Sequence, residues 1–383
     1  MNNQEQKLRI IQVVNVRWVN ATAWYALFLS RLLARAGHEV LVLGLEGAKS
    51  FALAEEWGLA PRALPLNSAN PFRQAALYAD MAKLVRDFQP QVVNCHRGES
   101  FALWALLRSR LPRASRYGLV RTRGDQRPIK NNFVNRRLYA GADALIATNS
   151  RIAVSMERDL GADASKVFTI LGGVDKTVFY PDPAAGAKAR QKYGFAPDDF
   201  VVGLLGRLDP VKGHAVLIEA LARLRQKHGP ACAIKFFCLG DDSHLTKADL
   251  RAMLEAAGLA DQSVISGRVD DVAACLNALD LGVLASVSSE AIARAALEIM
   301  ACGVPLLSSD VGVMPDLLPL DRLTPAGDAA ALALALERYR QNRDELEELR
   351  SICQRRIAGL KSGDFLTATL DVYRSCLSIN PTI

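Results

Sequence analysis

The amino-acid sequence predicts an α/β protein made of two doubly wound domains that face each other across a cleft. Its 383 residues are more than one hydrophobic core usually serves, so two domains are expected. Short apolar runs alternate with helical patterns from end to end, which is typical of a parallel sheet covered by helices on both faces. The alternation loosens once near the middle of the chain and then starts again, so the sheet pattern occurs twice.

The first half of the chain supplies one series of buried strands. Residues 8–14 (LRIIQVV) predict a strand, residues 23–37 an amphipathic helix that ends at a glycine, and residues 38–45 the next strand. Three further apolar runs continue the series, at 91–95, 117–122 and 142–148. We therefore assign residues 1–172 to an N-terminal Rossmann-like domain.

The second half repeats the pattern after a segment rich in Gly, Pro and Ala, residues 173–188, which we interpret as a linker. Its predicted strands lie at 199–208, 233–240, 263–267, 280–286 and 304–309, and a helix is predicted at 272–279. Residues 189–362 then form a C-terminal Rossmann-like domain. Residues 363–383 predict a last helix, which either closes this domain or crosses back to the first.

The composition is that of an ordinary globular protein. Half of the residues are hydrophobic and 23% are charged, and no apolar run approaches the roughly 18 residues that a membrane span needs. The first residues lack the pattern of a signal peptide, so a cytoplasmic location is expected. Seven cysteines without a CxxC pair, and five histidines without ligand spacing, predict buried reduced thiols and no metal site.

Positive charge is concentrated in residues 108–137, where ten Arg or Lys residues accompany one acid, Asp125. Such a face suits anionic lipid at the inner face of a membrane, or a phosphorylated acceptor. A solvated helix and loop surface explains the same charges equally well. No nucleic-acid-binding motif accompanies them, so nucleic acid is not predicted as a partner.

Two glutamates, Glu290 and Glu298, stand on either side of a predicted helix start. A helix beginning near Ala291 would put Glu290 close to its cap and Glu298 about 12 Å further along the axis. The free N–H groups and positive dipole of a helix start suit a phosphate. A ligand with a central phosphate and a hydroxylated ring at each end, such as a nucleotide-sugar, would match this layout. The alternative is a surface helix that carries two incidental glutamates.

A basic pair follows a predicted strand in GLLGRLDPVKG, residues 203–213. Gly206 makes a tight turn, Arg207 comes next, and Lys212 stands just before a helix. Two cations and a helix start can converge on a diphosphate, although a basic surface loop is an equally ordinary explanation. The chain contains neither GxGxxG nor GxxxxGK[ST], so neither a dinucleotide-binding fold nor a P-loop is supported.

Three ordered segments together resemble the C-terminal domain of the family 4 glycosyltransferases. They are GRLDPVKG, ISGRVDDVAACLNALDLGVLAS and SEAIARAALEIMACGVPLLSSDVG, and TILGGVDKTVFYP resembles the linker of that family. The resemblance covers nearly the whole chain, but the first domain matches more weakly. It implies the two-domain GT-B architecture, with the acceptor bound by the first domain, the donor bound by the second, and retention of anomeric configuration.

The resemblance also implies roles for individual residues. Glu290 matches the glutamate that binds hydroxyls of the donor sugar, and Glu298 matches the one that binds the ribose. Arg207 and Lys212 match the basic pair on the diphosphate. The remaining donor-binding positions are the turn at Gly206, the base-contacting Arg268 and Val269, and the loop that follows the first glutamate, Ala291, Ile292, Ala293 and Arg294.

The chain departs from the family pattern at several of these places. Ala291 to Ala293 stand where a Gly-Phe-Gly-like run is usual, and Arg294 adds a cation that faces either a phosphate or solvent. Gly124 stands where many members carry a histidine. Asp125 is the nearest substitute, and a loop acid paired with a neighbouring arginine is an equally good explanation of it. His96, at the end of a predicted strand, is a second candidate, although a lone histidine there is more often structural.

These features predict a retaining glycosyltransferase that uses a nucleoside diphosphate sugar and needs no metal or further cofactor. The expected acceptor is a glycan or glycolipid of bacterial lipopolysaccharide or another surface polysaccharide, and it is phosphorylated if the basic stretch binds it. A peripheral location at the inner membrane would follow from the same charges. Two alternatives stay open: a nucleotide-sugar-binding protein without catalysis, favoured by Gly124, and a GT-B sugar epimerase.

Overall fold

The structure, a computed structural model, describes residues 6–68, 70–229 and 234–378. It divides into two compact units, the first formed by Met1–Gly172 with Ser362–Ile383 and the second by Gly173–Lys361. Each unit contains its own parallel sheet, of seven strands in the first and six in the second. The predicted α/β fold class is therefore confirmed.

The first unit alternates strands and helices along the chain. Its strands are β1 Arg9–Val13, β2 Glu39–Gly44, β3 Arg62–Ala63, β4 Val92–Cys95, β5 Gly118–Arg123, β6 Ala144–Ala147 and β7 Val167–Thr169. Its helices up to that point are α1 Ala21–Arg35, α2 Lys49–Glu56, α3 Pro71–Phe88, α4 Phe101–Arg110, α5 Phe133–Ala140 and α6 Ser150–Leu160. The strand order is β3-β2-β1-β4-β5-β6-β7, so the direction of the chain across the sheet reverses between β1 and β4.

The second unit follows the same scheme. Its strands are β8 Phe200–Leu205, β9 Ile234–Leu239, β10 Ser263–Gly267, β11 Leu281–Leu284, β12 Leu306–Ser309 and β13 Leu323–Thr324. Its helices are α7 Pro183–Tyr193, α8 His214–His228, α9 Lys247–Ala256, α10 Val272–Asn277, α11 Arg294–Ala301, α12 Met314–Leu317, α13 Ala329–Gln341 and α14 Arg343–Ala358. The order β10-β9-β8-β11-β12-β13 places the reversal between β8 and β11. Ligands of such sheets bind beyond the carboxyl ends of the strands at this point.

The central strands are buried because helices cover both faces of each sheet. All four residues of β4, β6, β11 and β12 are buried, which explains why these strands contain no charged residue. The six cysteines within the described ranges are also buried and free, as predicted, while Cys232 lies outside those ranges. No helix in the described part of the chain is both long and apolar enough to span a bilayer.

The segment predicted as a linker is partly helical, which corrects that prediction. Helix α7 begins at Pro183, inside the range 173–188, and the Asp182 side chain accepts a hydrogen bond from the Ala185 N–H. Asp before Pro is a strong start signal, because the carboxylate caps the helix and proline is favoured at its first position. The Gly and Ala content of the segment hid this signal.

The last helix, α15 Ser362–Ser378, packs on the first sheet through a buried polar cluster. The Tyr373 hydroxyl accepts hydrogen bonds from Gln12 Nε2 at 2.9 Å and Asn94 Nδ2 at 2.8 Å, and Thr122 Oγ1 donates to Asn94 Oδ1 at 2.9 Å. Gln12, Asn94 and Thr122 come from the adjacent strands β1, β4 and β5, respectively. Nearby, the Phe365 ring meets Tyr25 edge-on at 4.7 Å. Satisfied buried polar groups of this kind fix one docking position for the helix.

Candidate functional site

The loops after β8 and β11 lie against each other at the reversal point of the second sheet. The Val287 N–H donates to the Val211 carbonyl at 2.9 Å. Gly213 has a left-handed φ of 72°, and a Cβ there would lie 1.8 Å from the Ala285 carbonyl oxygen. Only glycine permits this approach, so Gly213, directly after Lys212, is required for the two loops to meet.

The contact brings two predicted site residues together. Lys212 Nζ forms an ion pair with Glu290 Oε1, and Ser286 Oγ donates to the same oxygen at 2.6 Å. Only 6% of Glu290 is exposed. A carboxylate so deeply buried needs compensation, which the ammonium group and the hydroxyl provide. Lys212 has three donors and 23% of its side chain is exposed, so it can bind an anion while it holds Glu290.

Helix α11 begins later than predicted. Its first residue is Arg294, not a residue near Ala291, and Glu290 lies in the preceding loop rather than at the cap. The cap is Ala293, which has a left-handed φ of 48° and no capping side chain. A non-glycine residue in this conformation costs about 1–2 kcal/mol, and such strain is often found at functional sites. Ala291 and Ile292 are buried beside it.

Glu298 lies inside α11 and is 5% exposed. Arg294 Nε lies 2.9 Å from its Oε1, one helical turn earlier. Burial raises the pKa of Glu298, and the Arg294 guanidinium opposes that shift only in part. Among the described residues, the buried Glu298 carboxylate has one ion-pair partner, Arg294. It can therefore accept further hydrogen bonds from hydroxyl groups of a ligand.

The other predicted donor-binding residues lie at the ends of neighbouring strands. Arg207, after β8, has 60% of its side chain exposed, with Asp209 at 3.8 Å and Ser243 Oγ at 3.3 Å. Arg268 is exposed and Val269 is half-buried, directly after β10. Gly206 lies under the Lys212 side chain, since a Cβ there would come within 3.4 Å of the lysine Cδ. All of them follow carboxyl ends of strands in the same sheet.

Sequence analysis missed two residues that organise this site. Ser286 holds Glu290, as described above. Asp209 accepts a hydrogen bond from the Val211 N–H at 3.1 Å, which shapes the single 3-10 turn that carries Lys212. The dipeptide Asp209-Pro210 is the signal that could have revealed this turn. No comparable sequence signal marks Ser286, because no turn dipeptide such as Asp-Pro accompanies it in the loop after β11.

In the first unit, Asp125 is paired with Arg127 two residues later. Burial alone would raise the pKa of Asp125, but hydrogen bonds from Arg127 hold it below its ordinary value. Arg123 donates to the Arg127 carbonyl, and Thr22 Oγ1 donates to the Gly124 carbonyl at 3.2 Å. Asp125 is therefore ionised and fixed by its hydrogen bonds at the carboxyl end of β5. Such a carboxylate is better suited to orienting a hydroxyl group than to abstracting a proton.

A second acid, Glu99, lies after β4 and was not predicted. It forms an ion pair with Arg97, and its Oε2 accepts a hydrogen bond from Asn15 Nδ2 at 3.3 Å. Burial would raise the pKa of Glu99, but the hydrogen bond and charge of Arg97, together with a backbone hydrogen bond and the Asn15 amide, lower it below its ordinary value. The sequence RGES directly after a buried strand could have drawn attention to it.

His96, the second candidate for the missing histidine, follows β4 and lies in the interior of the first unit. It is 1% exposed, and its Nε2 lies 2.7 Å from Gln12 Oε1. Burial, together with the charge of the nearby Arg121 guanidinium, lowers the pKa of His96 to about 3. The side chain points to the sheet because β1 offers it a polar partner there, so the ring is a neutral structural group.

The basic stretch 108–137 does not form one open surface. Arg121 is buried in β5 and donates to the Cys95 carbonyl at 3.0 Å, and Arg108 is paired with Asp143 at 2.7 Å. The exposed cations of the stretch are Arg110, Arg113, Arg127, Lys130, Arg136 and Arg137. Part of the predicted charge therefore serves the fold, and the predicted membrane or phosphate contact rests on the remainder.

No group of three or more His, Cys, Asp or Glu side chains suited to a metal occurs in the described ranges. That observation leaves metal independence a prediction. The polar side chains gathered at the second sheet are cations and glutamates, a set suited to phosphate and hydroxyl groups.

Solved structures define the fold. A glycosyltransferase of Rickettsia africae superposes with a TM-score of 0.84 at 17% identity, covering 97% of this chain and 99% of that one. HepE of Anabaena, in complex with UDP, superposes with a TM-score of 0.82 at 20% identity, covering 96% and 100%. The lipopolysaccharide outer core galactosyltransferase WaaB gives 0.71 at 16% identity, covering 97% and 99%. At these identities the likeness establishes the fold, which is the GT-B architecture.

Family models then identify the family. The model described as Glycosyltransferase Family 4 matches residues 22–178, and the model described as Glycosyl transferases group 1 matches residues 199–342. Together they cover most of the chain, so the chain belongs to the family 4 glycosyltransferases.

Curated relatives carry one recurring name. The D-inositol 3-phosphate glycosyltransferase of Pseudarthrobacter chlorophenolicus is 32% identical over 187 residues, which are 48% of this chain and 44% of the relative. The protein of that name from Paenarthrobacter aurescens is 31% identical over 189 residues, covering 48% and 45%. The chain thus spans less than half the length of the curated relatives that it matches.

Proposed function

We propose that this protein is a retaining glycosyltransferase that moves a sugar from a nucleoside diphosphate sugar to a hydroxyl of a glycan or glycolipid. The observation that carries the proposal is the Lys212–Glu290 pair at the reversal point of the second sheet. Family membership, and the name of HepE, which was solved with UDP and with UDP-glucose, support a nucleotide-sugar donor.

The donor would lie along the carboxyl ends of β8, β10 and β11. Lys212 and Arg207 would bind the diphosphate, Glu290 the sugar hydroxyls, and Glu298 the ribose hydroxyls. Arg268 and Val269 would border the base. Each assignment matches the chemistry of its group, because cations pair with phosphate and carboxylates accept hydrogen bonds from hydroxyls.

In the reaction, the bond from the anomeric carbon to the diphosphate oxygen breaks, and the acceptor hydroxyl bonds to that carbon from the same face. The departing phosphate oxygen takes the hydroxyl proton. Negative charge grows on the leaving group, and the fixed Lys212 and Arg207 cations stabilise it. These cations can fulfil the role that a metal has in other glycosyltransferases, so we propose that EDTA leaves activity unchanged.

The acceptor would be a saccharide of bacterial lipopolysaccharide or another surface polysaccharide, bound by the first unit. One structural neighbour is named as a lipopolysaccharide galactosyltransferase, whereas the curated relatives are named for inositol phosphate. The exposed cations of residues 108–137 support an anionic acceptor or a peripheral contact with the inner membrane.

The proposal is tested by incubating purified protein with UDP-, GDP- and ADP-sugars and candidate acceptors. Thermal shift selects the donor first, because a ligand that binds the folded form raises Tm. NMR of the product then gives the anomeric configuration. We expect retention, and loss of at least 100-fold in activity for Arg207→Ala. An inverted product would overturn the retaining mechanism.

A nucleotide-sugar-binding protein without catalysis is the second candidate, favoured by Gly124 at the position of the family histidine. It predicts a donor-induced rise in Tm without transfer or donor hydrolysis under any condition. Turnover that Arg207→Ala removes would exclude it.

A further inference from the structure

A groove of about 890 Å³ lies at the carboxyl ends of β1, β2 and β3 in the first unit. We call it the cationic groove, and its polar and aromatic lining comprises Arg17, Trp18, Glu46, Lys49, Asn67, Ser68 and Arg73. None of these residues belongs to the donor site or to the basic stretch 108–137. No role follows for them from the proposed donor chemistry.

The charge of the groove is unbalanced. Arg17, Lys49 and Arg73 are exposed, and the lining contains one carboxylate, Glu46. Among the residues that the structure describes, no carboxylate lies within ion-pair distance of any of the three cations. Like charges that converge without partners repel each other, and a bound dianion would relieve that repulsion.

The backbone at the groove adds to the positive potential. Helix α2 starts at Lys49, its cap Ala48 supplies no side-chain hydrogen bond, and its first turn contains no acid. Arg73 lies in the first turn of α3, which also lacks an acid. The Lys49 N–H donates to the Arg17 carbonyl at 3.0 Å, which holds the loops after β1 and β2 together.

Trp18 makes the groove more than a charged surface. It is 64% exposed, and Lys49 Nζ lies 5.5 Å from the centre of its ring. An exposed indole beside an ammonium offers a flat apolar face next to a phosphate-binding group. A sugar ring that carries a phosphate has matching apolar C–H faces and matching charge.

Buried support fixes one wall of the groove. Asn15, which is 1% exposed, donates through Nδ2 to Asn67 Oδ1 at 2.7 Å, and Asn67 Nδ2 donates to the Asn15 carbonyl at 3.3 Å. The same Asn15 amide reaches Glu99 at 3.3 Å. These hydrogen bonds fix the Asn67 side chain at the wall of the groove. Through Asn15 they also connect the groove to Glu99, which follows β4.

We propose that the cationic groove binds the phosphomonoester of a phosphorylated sugar acceptor, with Lys49 and Arg73 on the phosphate and Trp18 on the sugar ring. This inference rests on the proposed function, since it names the acceptor class of that reaction. It places recognition of the acceptor phosphate on the loops after β1 to β3.

The test measures binding without the donor. The full chain is titrated calorimetrically with D-inositol 3-phosphate, myo-inositol, inorganic phosphate and phosphatidylglycerol vesicles, each at two salt concentrations. The variants are the double substitution K49Q/R73Q and, separately, Trp18→Ala. Arg86→Gln is the matched control, because Arg86 is an exposed cation in the last turn of the same helix as Arg73.

We expect D-inositol 3-phosphate to bind at least tenfold more tightly than myo-inositol, with an affinity that falls at high salt. K49Q/R73Q should weaken its binding at least tenfold, and Trp18→Ala should weaken it without removing the preference for phosphate. Arg86→Gln should match the parent protein. The donor-induced rise in Tm should be equal in all variants, which also shows that they fold.

Three outcomes would overturn the inference. They are equal binding of the phosphorylated and unphosphorylated sugars, equal weakening by Arg86→Gln, and binding to phosphatidylglycerol vesicles that depends on Lys49 and Arg73 while the soluble sugar phosphate does not bind. Failure of the proposed function would look different, because it would remove the donor-induced Tm shift or the transfer and leave the calorimetric result unaffected.

Discussion

Glu298 shows how a single residue can combine a cost in stability with a role in binding. The carboxylate is almost fully buried, and its one described ion pair is with Arg294 at 2.9 Å. Because burial raises the pKa of Glu298, the ionised form is disfavoured in the folded protein. An acid retained at such a position is better explained by a ligand than by stability.

Replacing Glu298 with Gln should therefore stabilise the protein and weaken nucleotide binding. A raised folded-state pKa means that the folded state loses stability as pH rises through that pKa, so the gain should appear at neutral pH and vanish in acid. We expect about 1 kcal/mol in the free energy of unfolding at pH 7.5, and about tenfold weaker binding of the nucleotide.

Urea denaturation at pH 7.5 and pH 4, with nucleotide titration, measures both effects. Glu219→Gln is the control, since Glu219 also pairs with an arginine four residues away on its helix but is exposed, and it should change stability by less than about 0.5 kcal/mol. Tight nucleotide binding by Glu298→Gln would contradict the assignment of Glu298.

His96 gives a second prediction at this scale. Its ring is buried and its pKa is lowered to about 3, so it should stay neutral while the unfolded chain takes up a proton below about pH 6.5. Stability then falls as pH decreases from about 6.5, by about 2 kcal/mol at pH 5 from this residue. The ring resonances of His96 should not titrate between pH 8 and pH 5. An NMR midpoint near 6.5 would show that the ring is accessible and reopen a catalytic role.

The sequence identifies individual site residues better than it identifies their partners. Lys212 and Glu290 each carry a recognisable pattern, but their pairing depends on two loops that follow non-consecutive strands, β8 and β11. Asp125 and Arg127 are two residues apart, so their pairing is visible in the sequence. The choice between a catalytic and a structural His96 stays open in the sequence, because the direction of its side chain depends on Gln12, which is 84 residues away.

At the scale of elements, the alternation of apolar runs and helical patterns gives the strands of four or more residues and the helices α1, α10 and α15, whereas long helices such as α3 and α14 were not predicted. Short edge strands such as β3 and β13 have two residues each and carry no periodic signal. The start of α11 was misplaced by three residues because the stretch 291–293 is apolar and has no capping side chain. For α7 the reason was the opposite. Asp182 is a clear helix cap, but the Gly and Ala content of the segment led to its interpretation as a linker.

The approach of the β8 and β11 loops depends on Gly213, and Gly213→Ala tests it. The new Cβ would overlap the Ala285 carbonyl, so we expect a loss of more than about 3 kcal/mol and a weaker diphosphate site. Gly194→Ala is the matched control, because Gly194 has nearly the same left-handed conformation with open space around it. It should cost only about 1 kcal/mol. Equal losses in the two variants, measured by chemical denaturation, would show that the contact with Ala285 contributes nothing.

At the scale of the whole molecule, the sequence predicts two α/β domains from the restart of the strand pattern. It leaves open where the last helix packs, because an amphipathic helix fits either sheet equally well. The structure places α15 on the first sheet through Tyr373, whose partners are 279 and 361 residues away in the chain. Contacts over such separations leave no local trace in a sequence.

Tyr373→Phe should destabilise the first unit without changing its shape. The substitution removes the acceptor of two buried amide donors, Gln12 and Asn94, and unsatisfied buried donors cost about 1–3 kcal/mol. Tyr78→Phe is the control, because within the described ranges the Tyr78 hydroxyl makes one exposed hydrogen bond, with Arg110, and its effect should be below about 0.5 kcal/mol. Calorimetric unfolding checks both variants, and an unchanged transition in Tyr373→Phe would refute a role of this hydroxyl in docking α15.

The docking of α15 has a consequence during biosynthesis. The segment that packs against Tyr25 of α1 is translated only after the entire second unit, Gly173–Lys361, has been synthesised. Until then the nascent first unit exposes the surface that α15 later covers, so this unit completes its fold only after the second unit has been made. Chaperone dependence of production, and sensitivity to premature stop codons that remove only α15, follow directly from that order of synthesis.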